Sequence, residues 1–97
     1  PDDRPVRTVA VCGGSGADLM PEAERAGADV FVTGDVKYHD ALEAASRGLT
    51  VVDAGHFATE QPVVAAVAAQ LAAWAEKEDW RIAVQTDPLA RDIFHIL

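Results

Sequence analysis

His56 and Glu60 stand four residues apart in "DAGHFATE" (53–60), directly after the apolar run "LTVVDAG". An imidazole nitrogen and a carboxylate oxygen at i and i+4 share one face of a helix, provided the helix begins early enough to hold both. That donor pair suits Zn, Mn or Fe ions. Two ligands do not close a site, so at least one further group must come from elsewhere. A plainer alternative stays open, in which Thr59 or Glu60 caps a helix and His56 lies exposed. Asp53 can orient His56 from behind or simply end the strand.

Two other stretches carry chemistry. In "TGDVKYH" (33–39), Asp35 falls at a strand end and His39 on the first helical turn after it. Asp35 is as well suited to capping that helix as to facing a ligand. His39 titrates near neutrality and can move protons at a rim, or stand as an ordinary surface histidine. Lys37 and Tyr38 read as surface and packing residues. "CGGSG" (12–16) offers the backbone amides of Gly13, Gly14 and Ser15 to an anion at a helix start. It lacks the lysine of a P-loop and the full dinucleotide fingerprint, and a tight turn would use the same residues. Cys12 reads as a small buried hydrophobe, and His95 in the tail has no partner to name.

These stretches are placed by an alternation of apolar β-branched runs and helical segments. Strands are expected near 7–12, 29–33, 49–53 and 81–86. Helices are expected over 16–27, with Asp18 as cap and Gly27 as stop, and over 36–48, with Gly48 as stop. A longer helix from about 59 to 78 carries Val63, Val64, Val67, Leu71 and Trp74 on one stripe, with Pro62 tolerated in its first turn. The order β-α-β-α-β-α-β predicts an α/β fold with an open, mostly parallel sheet. Residues 1–6 read as a linker and 7–97 as one α/β lobe. In a parallel sheet the three chemical stretches emerge together at the carboxyl edge, where ligands bind.

Composition narrows the partners. The 97 residues carry a net charge of −8, with no basic cluster, which argues against nucleic acid and anionic membranes. No apolar stretch is long enough to span a bilayer, and no charged-then-apolar leader opens the chain. A single cysteine excludes an intrachain disulfide and suits a reducing cytoplasm. The chain opens "PDDRPVRT", with no methionine, and so reads as a piece of a longer protein. A nucleotide-binding module using "CGGSG" is the reading in which the histidines take no part.

"AVCGGSGADL", "ADVFVTGDVKYHDALEA" and "GLTVVDAGHFATE" follow one another in the order seen in the NGG-interacting-factor-three-like proteins, often called GTP cyclohydrolase I type 2 homologues. Residues 7 to 87 resemble the C-terminal half of that family. The resemblance implies a two-lobed protein with two divalent metal ions between the lobes, His56 and Glu60 being ligands from this lobe. The remaining ligands would come from an adjacent histidine pair and an aspartate of the other lobe, and no such pair occurs in this chain. It further implies a homo-oligomer, a hexamer in the family, and hydrolysis of a nucleotide or phosphorylated small molecule. Glu60 and His39 would then be catalytic, with Gly13, Gly14, Ser15 and Asp35 facing substrate, and this lobe alone would be inactive. A non-enzymatic metal-binding or regulatory scaffold is the alternative.

Overall fold

The computed structural model describes residues 3–96. They form two compact units, divided between Thr59 and Glu60. In the first, three strands alternate with helices: β1 (Val9–Ser15), a 3₁₀ turn (Ala17–Leu19), α1 (Met20–Arg25), β2 (Val30–Gly34), α2 (Tyr38–Ser46) and β3 (Thr50–Asp53). A long helix, α3 (His56–Lys77), starts in this unit and continues into the second.

The strands lie in the order β1-β2-β3 and pair in parallel, Ala10 opposite Phe31 and Phe31 opposite Val51. The predicted α/β fold with an open parallel sheet is therefore the observed one. Stepping one strand at a time in one direction with right-handed crossovers puts both connecting helices on the same face. Period-two alternation then selects the core: Phe31, with Met20, Ala23, Ala44 and Leu49 from the helices and loops, and Ala10, Cys12 and Val51 packed against it. Val9, Val11 and Val52, on the other parity, are exposed.

Two of the expected stops are glycines in the left-handed region that ends a helix. Gly27 has φ +77°, and its N–H donates to Glu24 O while Ala28 N–H reaches Ala23 O. Gly48 repeats the pattern at φ +76°, donating to Ala45 O, with Leu49 N–H to Ala44 O.

Other expectations need correction. Asp18 does not cap α1: the helix is entered through the 3₁₀ turn, with no side-chain cap bond, and Leu19 N–H donates to Gly16 O. β1 does not stop at Gly13 but runs on to Ser15 through a register shift after Val11. Pro62 is not in the first turn, because α3 begins at His56 rather than near 59. Its missing N–H therefore leaves one carbonyl of the helix without its usual donor.

The second unit holds the rest of α3 and the tail. α3 ends in the same left-handed cap, here with Asp79 at φ +55°; Asp79 N–H donates to Glu76 O and Trp80 N–H to Ala75 O. The fourth strand expected at 81–86 is absent: residues 80–96 form neither helix nor strand. "WRIAVQTD" has the side chains of a strand, but a strand exists only through a ladder partner, and none is made among the described residues. The predicted α3 stripe is only partly covered, Val63, Val67 and Trp74 each remaining about half exposed. Among the described residues no helix is long and apolar enough to cross a membrane.

Asp29 anchors the start of β1. Its Oδ2 accepts Arg7 N–H at 2.8 Å and Thr8 N–H at 2.9 Å. These two backbone bonds hold its pKa below the ordinary aspartate value, with the charges of Arg7 and Arg4 adding to the effect. A carboxyl whose pKa falls on folding stabilises the fold above its unfolded pKa, near ~4, and loses that contribution as pH drops through the folded value. Asp29→Asn should therefore be less stable than wild type at neutral pH, the gap closing in acid below about pH 4. Urea unfolding at the two pH values measures this, and an equal gap at both would contradict it.

Candidate functional site

Three loops leave the carboxyl ends of the three strands, and short bonds between their backbones and side chains tie them together. Thr33, at the end of central β2, is fully buried at 0% exposure. Its hydroxyl accepts Gly16 N–H (2.9 Å) and donates to Gly14 O (3.0 Å), clamping the turn after β1 against β2. Thr59, in the first turn of α3, clamps the same turn from the other side. Its Oγ1 accepts Gly14 N–H at 2.8 Å and lies 2.8 Å from Gly55 O and 3.0 Å from His56 O, to which it can donate.

The second and third loops meet without a gap. A Cβ at Gly34 would lie 2.8 Å from Gly55 C and His56 N, so only glycine lets these backbones come so close. Asp53 bridges them: its Oδ2 accepts Val36 N–H and its Oδ1 accepts Gly55 N–H, both at 3.0 Å. Asp35, between Gly34 and Val36, adopts φ +53°, a left-handed conformation uncommon for any residue but glycine and, less so, asparagine and aspartate. From there its Oδ2 reaches His56 Nδ1 at 2.7 Å.

The structure thus brings together His56, Asp35 and the end of β1 at Gly14. α3 begins at His56, which meets the condition under which His56 and Glu60 lie one helical turn apart; Glu60 is exposed. Asp35 does not cap α2, whose first residue is Tyr38; Asp40 instead accepts Lys37 N–H at 3.4 Å. The two Asp53 oxygens accept backbone amides, Val36 N–H and Gly55 N–H, and the short bond to His56 Nδ1 comes from Asp35. His39 is exposed on the first turn of α2, its Nε2 3.7 Å from Asp40 Oδ1 on the same helix. Gly13 and Ser15 are exposed, whereas Gly14 is buried. The amides of Gly14 and Gly16 are spent on Thr59 and Thr33, which reduces the donors that the turn can offer an anion.

Thr33 and Thr59 carry much of this geometry; the sequence reading passed over Thr33 and offered Thr59 only as a helix cap, whereas α3 already begins at His56 and Thr59 lies within its first turn. Their one signal is a hydroxyl at each end of the loop system, Thr33 sitting at a core-facing position of β2 where the alternation calls for an apolar residue.

Imidazole nitrogen and carboxylate oxygen are donor types that divalent ions accept. Among the described residues no group of three or more His, Cys, Asp or Glu side chains is placed to hold a metal ion.

The family model described as Duf34/NIF3 (NGG1p interacting factor 3) matches residues 1–91. A Streptococcus pneumoniae protein named GTP cyclohydrolase 1 type 2 homolog is 39% identical over 92 residues, 95% of this chain and 34% of that protein. A Streptomyces coelicolor protein of the same name is 41% identical over 88 residues, 90% of this chain and 31% of its own length. A crystal structure of a Bacillus cereus protein related to NIF3 superposes with a TM-score of 0.88 at 37% identity, over 95% of this chain and 25% of that one. The chain therefore spans about a third of the length of these two curated relatives.

Proposed function

Because the chain belongs to the Duf34/NIF3 family, we propose that it is one lobe of a divalent-metal-dependent, hydrolase-like protein acting on a nucleotide or phosphorylated small molecule. His56 and Glu60 supply two ligands to a site of two metal ions, of the Zn, Mn or Fe class, whose other ligands lie outside this chain. The observation that carries the reading is the start of α3 at His56, beside the loops at the carboxyl edge of a parallel sheet. When bound, such ions act as Lewis acids toward a phosphoryl or carbonyl oxygen. The exposed Ser15 hydroxyl and Gly13 face the substrate, and His39 and Glu60 exchange protons with it.

The name shared by the relatives supports a nucleotide as the substrate class. The partly exposed apolar stripe on α3 supports a lobe that packs on further protein or on copies of itself, the hexamer being the assembly that the family resemblance implies. The free thiol of Cys12 suits a cytoplasmic location. A second reading, a metal-holding scaffold without catalysis, is favoured by the spending of the Gly14 and Gly16 amides on Thr59 and Thr33, which leaves the turn fewer donors for a substrate.

In the complete protein, His56→Ala and Glu60→Ala should each weaken metal binding by at least about 100-fold, more than the loss of an outer hydrogen-bond partner costs. Circular dichroism should stay unchanged, since both side chains are exposed. Metal content after dialysis reads the outcome, and unchanged stoichiometry in both variants would remove the proposal. Turnover of a panel of nucleotides and phosphate esters separates enzyme from scaffold.

A further inference from the structure

We infer that Asp35 is a positioning residue that fixes the ring of His56 with its proton on Nδ1, so that Nε2 carries the lone pair toward the metal. The inference rests on the reading of His56 as a ligand, and it gives Asp35 a different task from the substrate contact that its sequence position suggests.

The contact itself comes first. Asp35 Oδ2 and His56 Nδ1 are 2.7 Å apart, a short distance typical of a charge-assisted bond. An ionised carboxylate only accepts hydrogen bonds, so the nitrogen facing it must hold the proton. In a neutral imidazole the other nitrogen, Nε2, is then the one able to ligate a cation. Carboxylates behind metal-bound histidines act in this way, selecting the tautomer, fixing the ring and raising its basicity.

The backbone supplies a second, independent observation. Asp35 sits at φ +53°, a conformation strained for a residue other than glycine. Glycine would relieve that strain, yet an aspartate stands there, and its carboxylate reaches His56. The surrounding structure over-determines the position. Asp53 holds Val36 N–H on one side and Gly55 N–H on the other, so a single carboxylate sets the spacing of the residues that flank Asp35 and His56. Gly34 lets the two loops touch. Strain kept in place by this much bracing is a pattern of functional positions.

As a plain surface ion pair the contact would contribute little to stability, since both side chains are about half exposed. Stability is therefore the wrong readout. The ring tautomer and the metal affinity are the right ones.

The test uses the complete protein with Asp35→Gly, Asp35→Asn and His56→Ala. Glycine accepts φ +53° without strain and asparagine tolerates it, so neither substitution breaks the turn. Long-range proton–nitrogen correlation spectra of the metal-free protein report which nitrogen of His56 is protonated. Wild type should show the proton on Nδ1, and Asp35→Gly should shift it toward Nε2. Competition of zinc against a chelator should show binding about 10- to 100-fold weaker in Asp35→Gly. Asp35→Asn should fall between, because its amide oxygen can still accept from Nδ1 but carries no charge. An unchanged tautomer with unchanged zinc affinity in Asp35→Gly would overturn the inference. Zinc affinity unchanged in His56→Ala would instead remove the ligand reading, while the tautomer spectra would still decide whether Asp35 holds the ring.

Discussion

Alanine at Gly34 should destabilise the protein by about 3 kcal/mol, the upper part of the range for overpacking a close contact. The new Cβ would stand 2.8 Å from Gly55 C and His56 N, and 2.9 Å from His56 Cα. All three are backbone atoms, so no side chain can swing away to make room. Gly34 is not among the positive-φ glycines, so the cost is contact and not conformation. Gly55 is the opposite case: it has φ +90°, and the nearest atom to an added Cβ is 3.9 Å away. A loss of this size is a large share of the ~5–10 kcal/mol that a domain of this length commonly has. Any folded fraction of Gly34→Ala must separate the loops and shift His56, so its metal binding should fall as well. Urea unfolding checks the first part. A midpoint equal to wild type would mean the two loops are not in contact.

Thr33→Val should cost about 2–5 kcal/mol although it barely changes the shape of the side chain. Valine fills nearly the same space, so no cavity opens. What it removes is the acceptor for Gly16 N–H and the donor to Gly14 O. Both glycines are buried, and a buried backbone group left without a partner costs about 1–3 kcal/mol. Thr33→Ser keeps the oxygen and loses a methyl group, and should cost about 1 kcal/mol. The order matters more than either value. If serine proved more damaging than valine, packing and not hydrogen bonding would hold Thr33 in place.

The sheet was readable in the sequence because its strands are short β-branched runs separated by helical segments, and the glycines that end those helices, Gly27 and Gly48, adopt the left-handed conformation that a helix stop favours. The extension of β1 through Gly13 and Gly14 was not readable. A register shift is set by what the extra residues bond to, and Gly14 bonds to Thr59, on another element. The fourth strand failed for a related reason: residues 81–86 have strand-like side chains, but pairing is decided by a partner that local pattern does not reveal. At the candidate site, sequence placed two aspartates at strand ends and could not tell which reaches His56. Asp53, three residues away, is the nearer in sequence, yet a short side chain beside a turn is captured by that turn's own amides. Asp35, 21 residues away, makes the contact because Gly34 brings its loop flush against the other.

The clamp between Gly14 and Thr59 also fixes an order of assembly. Its two ends are 45 residues apart, whereas Gly16 and Thr33 are 17 apart. By loop-closure entropy alone the longer link costs only about 0.9 kcal/mol more. Timing separates them more than entropy does. A parallel sheet has no hairpin from which to grow, and a chain made from its N-terminus brings β1 and β2 out of the ribosome before residue 59 emerges. During that interval the Thr33 hydroxyl can already hold Gly16, while the acceptor for Gly14 N–H is still out of reach. The turn after β1 is thus half built during synthesis and completed by the same residues that start α3. The ribosome therefore delivers the finishing bond of the rim and the proposed ligand-bearing turn together.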